Sequence, residues 1–129
     1  MHSSSTQGVI PAEALRVGAG RTRRFVGREH GAGVSYFFVD NEPGQGPALH
    51  RHPYTETWIV LDGTAEITIG DEVFRASAGD TATAPLWTWH RFVNAGTSRL
   101  RIVGSHASPV IIQEWWESRG TLDIPSLTD

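Results

Sequence analysis

The chain has 129 residues, a formal charge of −3 and no cysteine. Its length suits one domain that buries something like two thirds of its unfolded surface without disulfides. The composition excludes thiolate chemistry, Cys-ligated zinc and iron–sulfur centres, and the acidic balance argues against a general phosphate-backbone binder.

Residues 1–8 are small and polar, and with the mildly apolar stretch that follows they are expected to form a partly flexible N-terminal arm over residues 1–18. The start shows no charged region followed by an apolar one, and no apolar run approaches bilayer-spanning length. A cytoplasmic protein without membrane contact is expected. Residues 21–28 read as a first strand with a basic, solvated outer face. After a turn at Gly31-Ala32-Gly33, Val34-Ser35-Tyr36-Phe37-Phe38-Val39-Asp40 is a β-branched and aromatic run typical of a strand buried on both sides. Residues 41–47 are turn chemistry. Along residues 55–61 the positions Glu56, Trp58 and Val60 share one face, and Asp62-Gly63 is a hairpin turn before the cleanly alternating Thr64-Ala65-Glu66-Ile67-Thr68-Ile69.

Residues 72–77, 80–84 and 90–94 give three further short strands. In residues 99–106 the apolar Leu100 and Ile102 mark the inward face, and His106 shares their parity, so it is expected to point into a cavity. Residues 110–117 read as a closing strand and the remainder as a tail. Within this end, Ile111, Ile112, Trp115 and Trp116 form an apolar cluster that a small barrel leaves uncovered, which points to self-association. Roughly eight to ten short strands with almost no helix signal argue for an all-β jelly roll or barrel. The barrel is placed at residues 19–112 and a C-terminal segment and tail at residues 113–129.

One stretch carries chemistry. Successive side chains of a strand point to opposite faces, so His50 and His52 project to the same side with Arg51 turned away. Glu56 keeps the same parity and brings a hard anionic oxygen to the same place. A fourth ligand has to come from elsewhere. Gly44, His50, His52, Glu56 and Gly63, followed by Gly79, Pro85, His90 and Asn94, resemble the two paired motifs of the cupin superfamily. Trp87 stands where the second motif has Gly. The resemblance implies a double-stranded β-helix, a conical jelly-roll barrel, with a metal inside held by His50, His52, Glu56 and His90. It also implies a homodimer.

Three imidazoles and one carboxylate suit one divalent transition metal per chain. Fe(II) or Mn(II) is favoured and Zn(II), Ni(II) or Co(II) is compatible. Open positions would remain for oxygen or for a bidentate anionic substrate such as an enolate, a deprotonated phenol or a hydroxy acid. The surrounding pocket is expected to draw on Trp58, Phe92, Leu100 and Ile102, with Tyr36 or Phe38, which suits a small organic molecule. Glu56 is a candidate base as well as a ligand. His106 is a candidate proton relay and Tyr54 a hydrogen-bond donor at the rim. Trp87 and Trp89 flank the turn before His90 as a lid or a cap. The functions compatible with this pattern are an oxygen-using dioxygenase, a non-redox isomerase, cyclase or lyase, and a small-molecule or metal-binding module without turnover.

Overall fold

The computed structural model describes residues 8–125, so the first seven residues of the arm expected at residues 1–18 and the last four residues of the expected tail lie outside the described residues. Eleven strands run in chain order, interrupted by short 3-10 turns at Ala12–Leu15, Gly27–His30 and Trp116–Ser118. They are β1 (Arg23–Phe25), β2 (Ser35–Asn41), β3 (His50–Arg51), β4 (Glu56–Asp62), β5 (Thr64–Ile69), β6 (Glu72–Ser77), β7 (Thr81–Ala84), β8 (His90–Asn94), β9 (Leu100–His106), β10 (Gln113–Trp115) and β11 (Leu122–Asp123). They form a five-stranded sheet in the order β1-β2-β9-β4-β7 and a six-stranded sheet in the order β11-β10-β3-β8-β5-β6. All pairings are antiparallel, so the two sheets face each other as the halves of a jelly roll. Among the described residues no helix is long and apolar enough to cross a membrane.

The alternation in β4 and β9 builds the interior. Glu56, Trp58 and Val60 are buried along β4, and Leu100, Ile102, Gly104 and His106 along β9, with exposed or half-buried residues between them. Cross-strand register places Val60 opposite Ile102, Trp58 opposite Gly104 and Glu56 opposite His106. Trp58, Val60, Leu100 and Ile102 join Ala65, Ile67, Ala76, Ala84 and Phe92 in one apolar cluster. Each large member contributes about 1.5–3 kcal/mol by leaving water. That cluster fills one part of the sandwich and leaves the polar row of Glu56 and His106 beside it.

Three local expectations are corrected. Tyr36 and Phe38 do not face inward, because the register Arg24↔Phe37 sets Phe37 and Val39 on the inner face. Tyr36 stacks outside on Phe25, and Phe38 lies under the guanidinium groups of Arg23 and Arg101. A run apolar at every position carries no parity signal, and here the outer aromatics are covered by Arg stems. The closing strand expected within residues 110–117 is present as β10. Trp115 pairs with His50 and Glu114 with Arg51, while β11, inside the expected tail, pairs with β10. The apolar cluster near this end is therefore largely internal. Ile111 is fully buried, Trp115 packs on His50, and Trp116 is the one left exposed, beneath Arg119.

Candidate metal centre

His50 starts β3, His52 follows it, Glu56 opens β4 and His90 opens β8, so four short-range strand positions from both sheets converge. One ligand atom from each lies within 4.8 Å of the other three, and all four residues are buried. His52 Nε2 is 2.9 Å and His90 Nε2 is 3.1 Å from the same carboxylate oxygen, Glu56 Oε1. Donors about 2.1 Å from one ion at right angles stand about 3.0 Å apart, so these spacings fit a shared cation.

The far side of each ring decides its tautomer. His50 Nδ1 lies 2.8 Å from the carbonyl of Ala48, His52 Nδ1 2.7 Å from that of Ile112, and His90 Nδ1 2.9 Å from that of Thr88. A carbonyl only accepts, so each Nδ1 carries the proton and each neutral ring turns a bare Nε2 to the centre. A bare nitrogen and a carboxylate oxygen at hydrogen-bond distance repel each other unless a cation lies between them. Protonating the rings instead would crowd cations into a buried space. Burial, then the neighbouring His90 and His52, hold His50 down to about 3. Burial pushes the Glu56 carboxyl up, but attraction to His106 and the hydrogen bond from it outweigh that and hold the group well below the usual carboxylate range. The result is an ionised carboxylate beside neutral imidazoles, the donor set a divalent metal takes.

The second carboxylate oxygen has a different environment. Glu56 Oε2 is 3.4 Å from His106 Nε2. Tyr54 Oη lies 2.6 Å from His106 Nδ1 and accepts the Ile112 N–H at 3.2 Å, so its own proton is directed to His106. His106 then presents its Nε2 proton to Glu56. Burial raises the Tyr54 phenol above its ordinary range, and the Glu56 charge adds to that, which keeps it a donor. Tyr54, His106 and Glu56 thus form one chain ending at the centre.

A residue missed by sequence reasoning makes room for this oxygen. A Cβ at Gly104 would lie 2.3 Å from Glu56 Oε2, and 3.1 and 3.2 Å from Cδ1 and Nε1 of Trp58. Gly104 has no positive φ, so it is glycine for space and not for backbone freedom. Trp58 itself stands edge-on to the His90 ring at 5.1 Å, and its buried Nε1 has no hydrogen-bond partner.

A cavity of about 660 Å³ opens beside the centre, lined by His50, Glu56, His106 and Gly104 at its floor. Phe37, Val39, Phe92 and Trp115 form its apolar walls, and Arg24, Thr22 and Asp123 lie among its polar lining. Phe92 is thus in the wall as expected. Trp58, Leu100 and Ile102 are core residues that do not line it, because the sheets close tightly on that side. The wall residues Trp115 and Gln113 belong to β10, whose long-range pairing no local pattern signals. Parity along β9 did point to Gly104, since it lies between Ile102 and His106.

Trp87 and Trp89 do not cover the cavity. They lie on the outer side of the paired ligand strands β3 and β8, where the Arg51 guanidinium stacks on both rings, 4.3 Å from Trp89 and 5.1 Å from Trp87. Trp87 sits at φ 57, among the described residues the one non-glycine with a positive φ. The turn that the motif builds with glycine is thus kept, held by Trp87 N–H on the His52 carbonyl at 2.7 Å.

Comparison with known proteins agrees with this construction. A family model described as a cupin domain matches residues 37–105. The chain is 38% identical over 63 residues to the xanthan biosynthesis protein XanB of Xanthomonas campestris, spanning 48% of this chain and 14% of that one. It is 30% identical over 54 residues to a 5-nitrosalicylic acid 1,2-dioxygenase of Bradyrhizobium, spanning 42% of this chain and 26% of that one. The chain therefore spans only a small part of these relatives. Among solved structures, the oxalate decarboxylase of Bacillus subtilis, studied for its Mn(II) centres, superimposes with a TM-score of 0.70 over 79% of this chain and 29% of that one at 20% identity, a likeness of fold. With a family match over more than half its length, paired ligand strands and a four-residue centre between two antiparallel sheets, the chain belongs to the cupin family.

Proposed function

We propose that the chain is an oxygen-using, metal-dependent enzyme acting on a small enolic, phenolic or keto compound, with one divalent metal held by His50, His52, Glu56 and His90. The observation that carries the reading is the set of bare Nε2 atoms turned on a carboxylate oxygen, each fixed by a backbone carbonyl behind it. The bound metal would supply Lewis acidity and, as Fe(II) or Mn(II), a redox partner for oxygen. The chain supplies the rest. Glu56 splits its work between two oxygens, Oε1 facing the ligand imidazoles and Oε2 facing His106 and the cavity floor. A substrate hydroxyl entering over Gly104 meets Oε2 as base, and the Nε2 proton of His106, with Tyr54 behind it, holds that carboxylate in place. Phe37, Phe92 and Trp115 keep water from the reacting end. The 5-nitrosalicylic acid 1,2-dioxygenase relative and the Mn(II)-containing oxalate decarboxylase are consistent with oxygen and metal chemistry in this setting.

The apoprotein, reconstituted without air with Fe(II) or Zn(II), should take up close to one metal per chain and be stabilised by about 2.7 kcal/mol at a hundredfold its dissociation constant. His52→Ala should lose the metal. A metabolite pool screened with and without oxygen then tests the reaction. Substrate loss only with iron or manganese and oxygen supports the dioxygenase. Loss that persists with zinc and without oxygen assigns a non-redox isomerase, cyclase or lyase, and no loss under any condition assigns a binding module.

A further inference from the structure

Gln113 is a polar residue that the metal centre does not use. It lines the cavity beside His50 and Trp115 and is only 7% exposed, yet among the described residues its carboxamide has no hydrogen-bond partner. Glu114 is turned to the outer face, where it holds Arg51, so Gln113 and Trp115 are the inward pair of β10. Trp115 stands opposite His50. One step further in the same antiparallel register brings Gln113 beside the metal ligand His52, with their Cβ atoms about 5 Å apart. On its other flank Gln113 pairs with Asp123, which lines the cavity too. The strand order β11-β10-β3 thus sets Asp123, Gln113 and His52 in one inward row. The middle member is held firmly, because the backbone of Ile112 before it is bonded twice. Its carbonyl takes His52 Nδ1 at 2.7 Å and its N–H meets Tyr54 Oη at 3.2 Å. A buried amide is costly to leave unmet, and the side on which this one is open is the cavity.

Resting on the metal-centre reading above, we propose that Gln113 is a specificity residue and that the cavity takes a flat molecule with three neighbouring oxygens. Two of them chelate the metal held by His50, His52, Glu56 and His90. The third, an uncharged hydroxyl or carbonyl on the next carbon, meets the Gln113 carboxamide. Its place beside the chelating pair follows from the place of Gln113, one strand away from a ligand and not at the remote end of the cavity. Its lack of charge follows from the amide, which offers an acceptor and two donors and carries no charge of its own. Trp115, two residues on and on the same face, supplies the flat wall next to this oxygen. A guest with an apolar group in the third position loses the contact and also leaves a buried amide unpaired, so it is rejected more strongly than its shape implies.

The test uses the Zn(II)-loaded full chain without air and two probes of nearly equal size, their dissociation constants measured by calorimetry. Pyrogallol carries a hydroxyl next to its chelating pair, and 3-methylcatechol carries a methyl group in the same place. Pyrogallol should bind at least about fivefold more tightly, the discrimination expected when the alternative leaves a buried amide unpaired. Gln113→Met keeps the length of the side chain and removes its donor and acceptor. With metal content verified at one per chain, it should bring the two affinities within about twofold, and because the ratio is compared between proteins the intrinsic chelating strength of each probe cancels. Equal affinities in the wild-type protein decide against the proposal without any variant. A preference that survives Gln113→Met, or no binding of either probe to fully metallated protein, also overturns it, and each of these outcomes leaves the metal centre standing. Failure of the chain to take up zinc overturns the reading on which it rests.

Discussion

Gly104→Ala adds one methyl group and tests how the centre is held. The added Cβ would lie 2.3 Å from Glu56 Oε2, whereas carbon and oxygen in contact stand about 3.3 Å apart, so the carboxylate must retreat by about 1 Å. It cannot retreat into Trp58, whose Cδ1 and Nε1 are already 3.1 and 3.2 Å from the new atom. Nor can the backbone be blamed, because Gly104 adopts a conformation open to alanine. Glu56 is thus pushed toward His52 and His90 or away from His106. Displacing a ligand or its support in this way costs roughly 10–100-fold in metal affinity. Overpacking costs a further 1–3 kcal/mol of stability, roughly 3–10 °C for a domain of this size. Chelator competition gives the first quantity, and thermal unfolding of the metal-free protein the second. A Gly104→Ala/Glu56→Asp pair, with its shorter arm, should recover part of the loss beyond additivity. A single variant that binds metal like the wild type and melts at the same temperature would refute the argument that Gly104 exists to make room for Glu56.

Other outcomes follow from the same geometry. His50 is buried with its folded value held down to about 3 against 6.5 in the unfolded chain, so the metal-free protein should lose stability as pH falls from about 6.5 toward 3, the unfolded imidazole taking up the proton first. Urea midpoints at pH 7, 6 and 5 measure the slope, which His50→Gln should flatten; a flat wild-type profile removes the argument. Trp87→Ala keeps the left-handed backbone and loses the stack on Arg51, so it should cost more stability than Trp87→Gly, in which relief of about 1 kcal/mol offsets the lost cation–π contact. Denaturant unfolding ranks the two, and the reverse order counts against strain at this turn. Self-association is expected through the edge strand β6, where Val73 and Phe74 are 59% and 43% exposed, and sedimentation showing a strict monomer at micromolar concentration speaks against it.

Much of this arrangement can be read from local pattern. The His-x-His pair and the parity of Glu56, Leu100, Ile102 and His106 depend only on the two-residue period of a strand, which the sequence displays wherever polar and apolar positions alternate. The wall of the cavity is another matter. In residues 34–40 the side chains are apolar on both faces, so nothing local tells Phe37 from Phe38; Arg24 opposite Phe37, and Arg23 stacked on Phe38, decide it. Trp115 looked like exposed surface for a related reason, since a short apolar stretch near a chain end reads as uncovered until its partner strand is known.

The tautomers of the ligand rings show the same division and carry a consequence for folding. His50 and His90 each bond a carbonyl two residues earlier in the chain, Ala48 and Thr88, so their orientation is set as soon as the local turn forms. His52 depends on Ile112, sixty residues away, and Tyr54 on the N–H of the same residue. The approach to β10 therefore fixes one metal ligand and anchors the proton chain through His106 at once. Pairing of Trp115 with His50 places that segment. Docking of β10 is thus a condition for a complete centre, and weakening it should lower metal affinity even though no residue of β10 is a ligand. Trp115→Ala, which removes the ring packed on His50 without touching a donor atom, should weaken metal binding together with the hydrogen-exchange protection of the Ile112 amide. Loss of protection with full metal affinity would separate the two and refute the coupling.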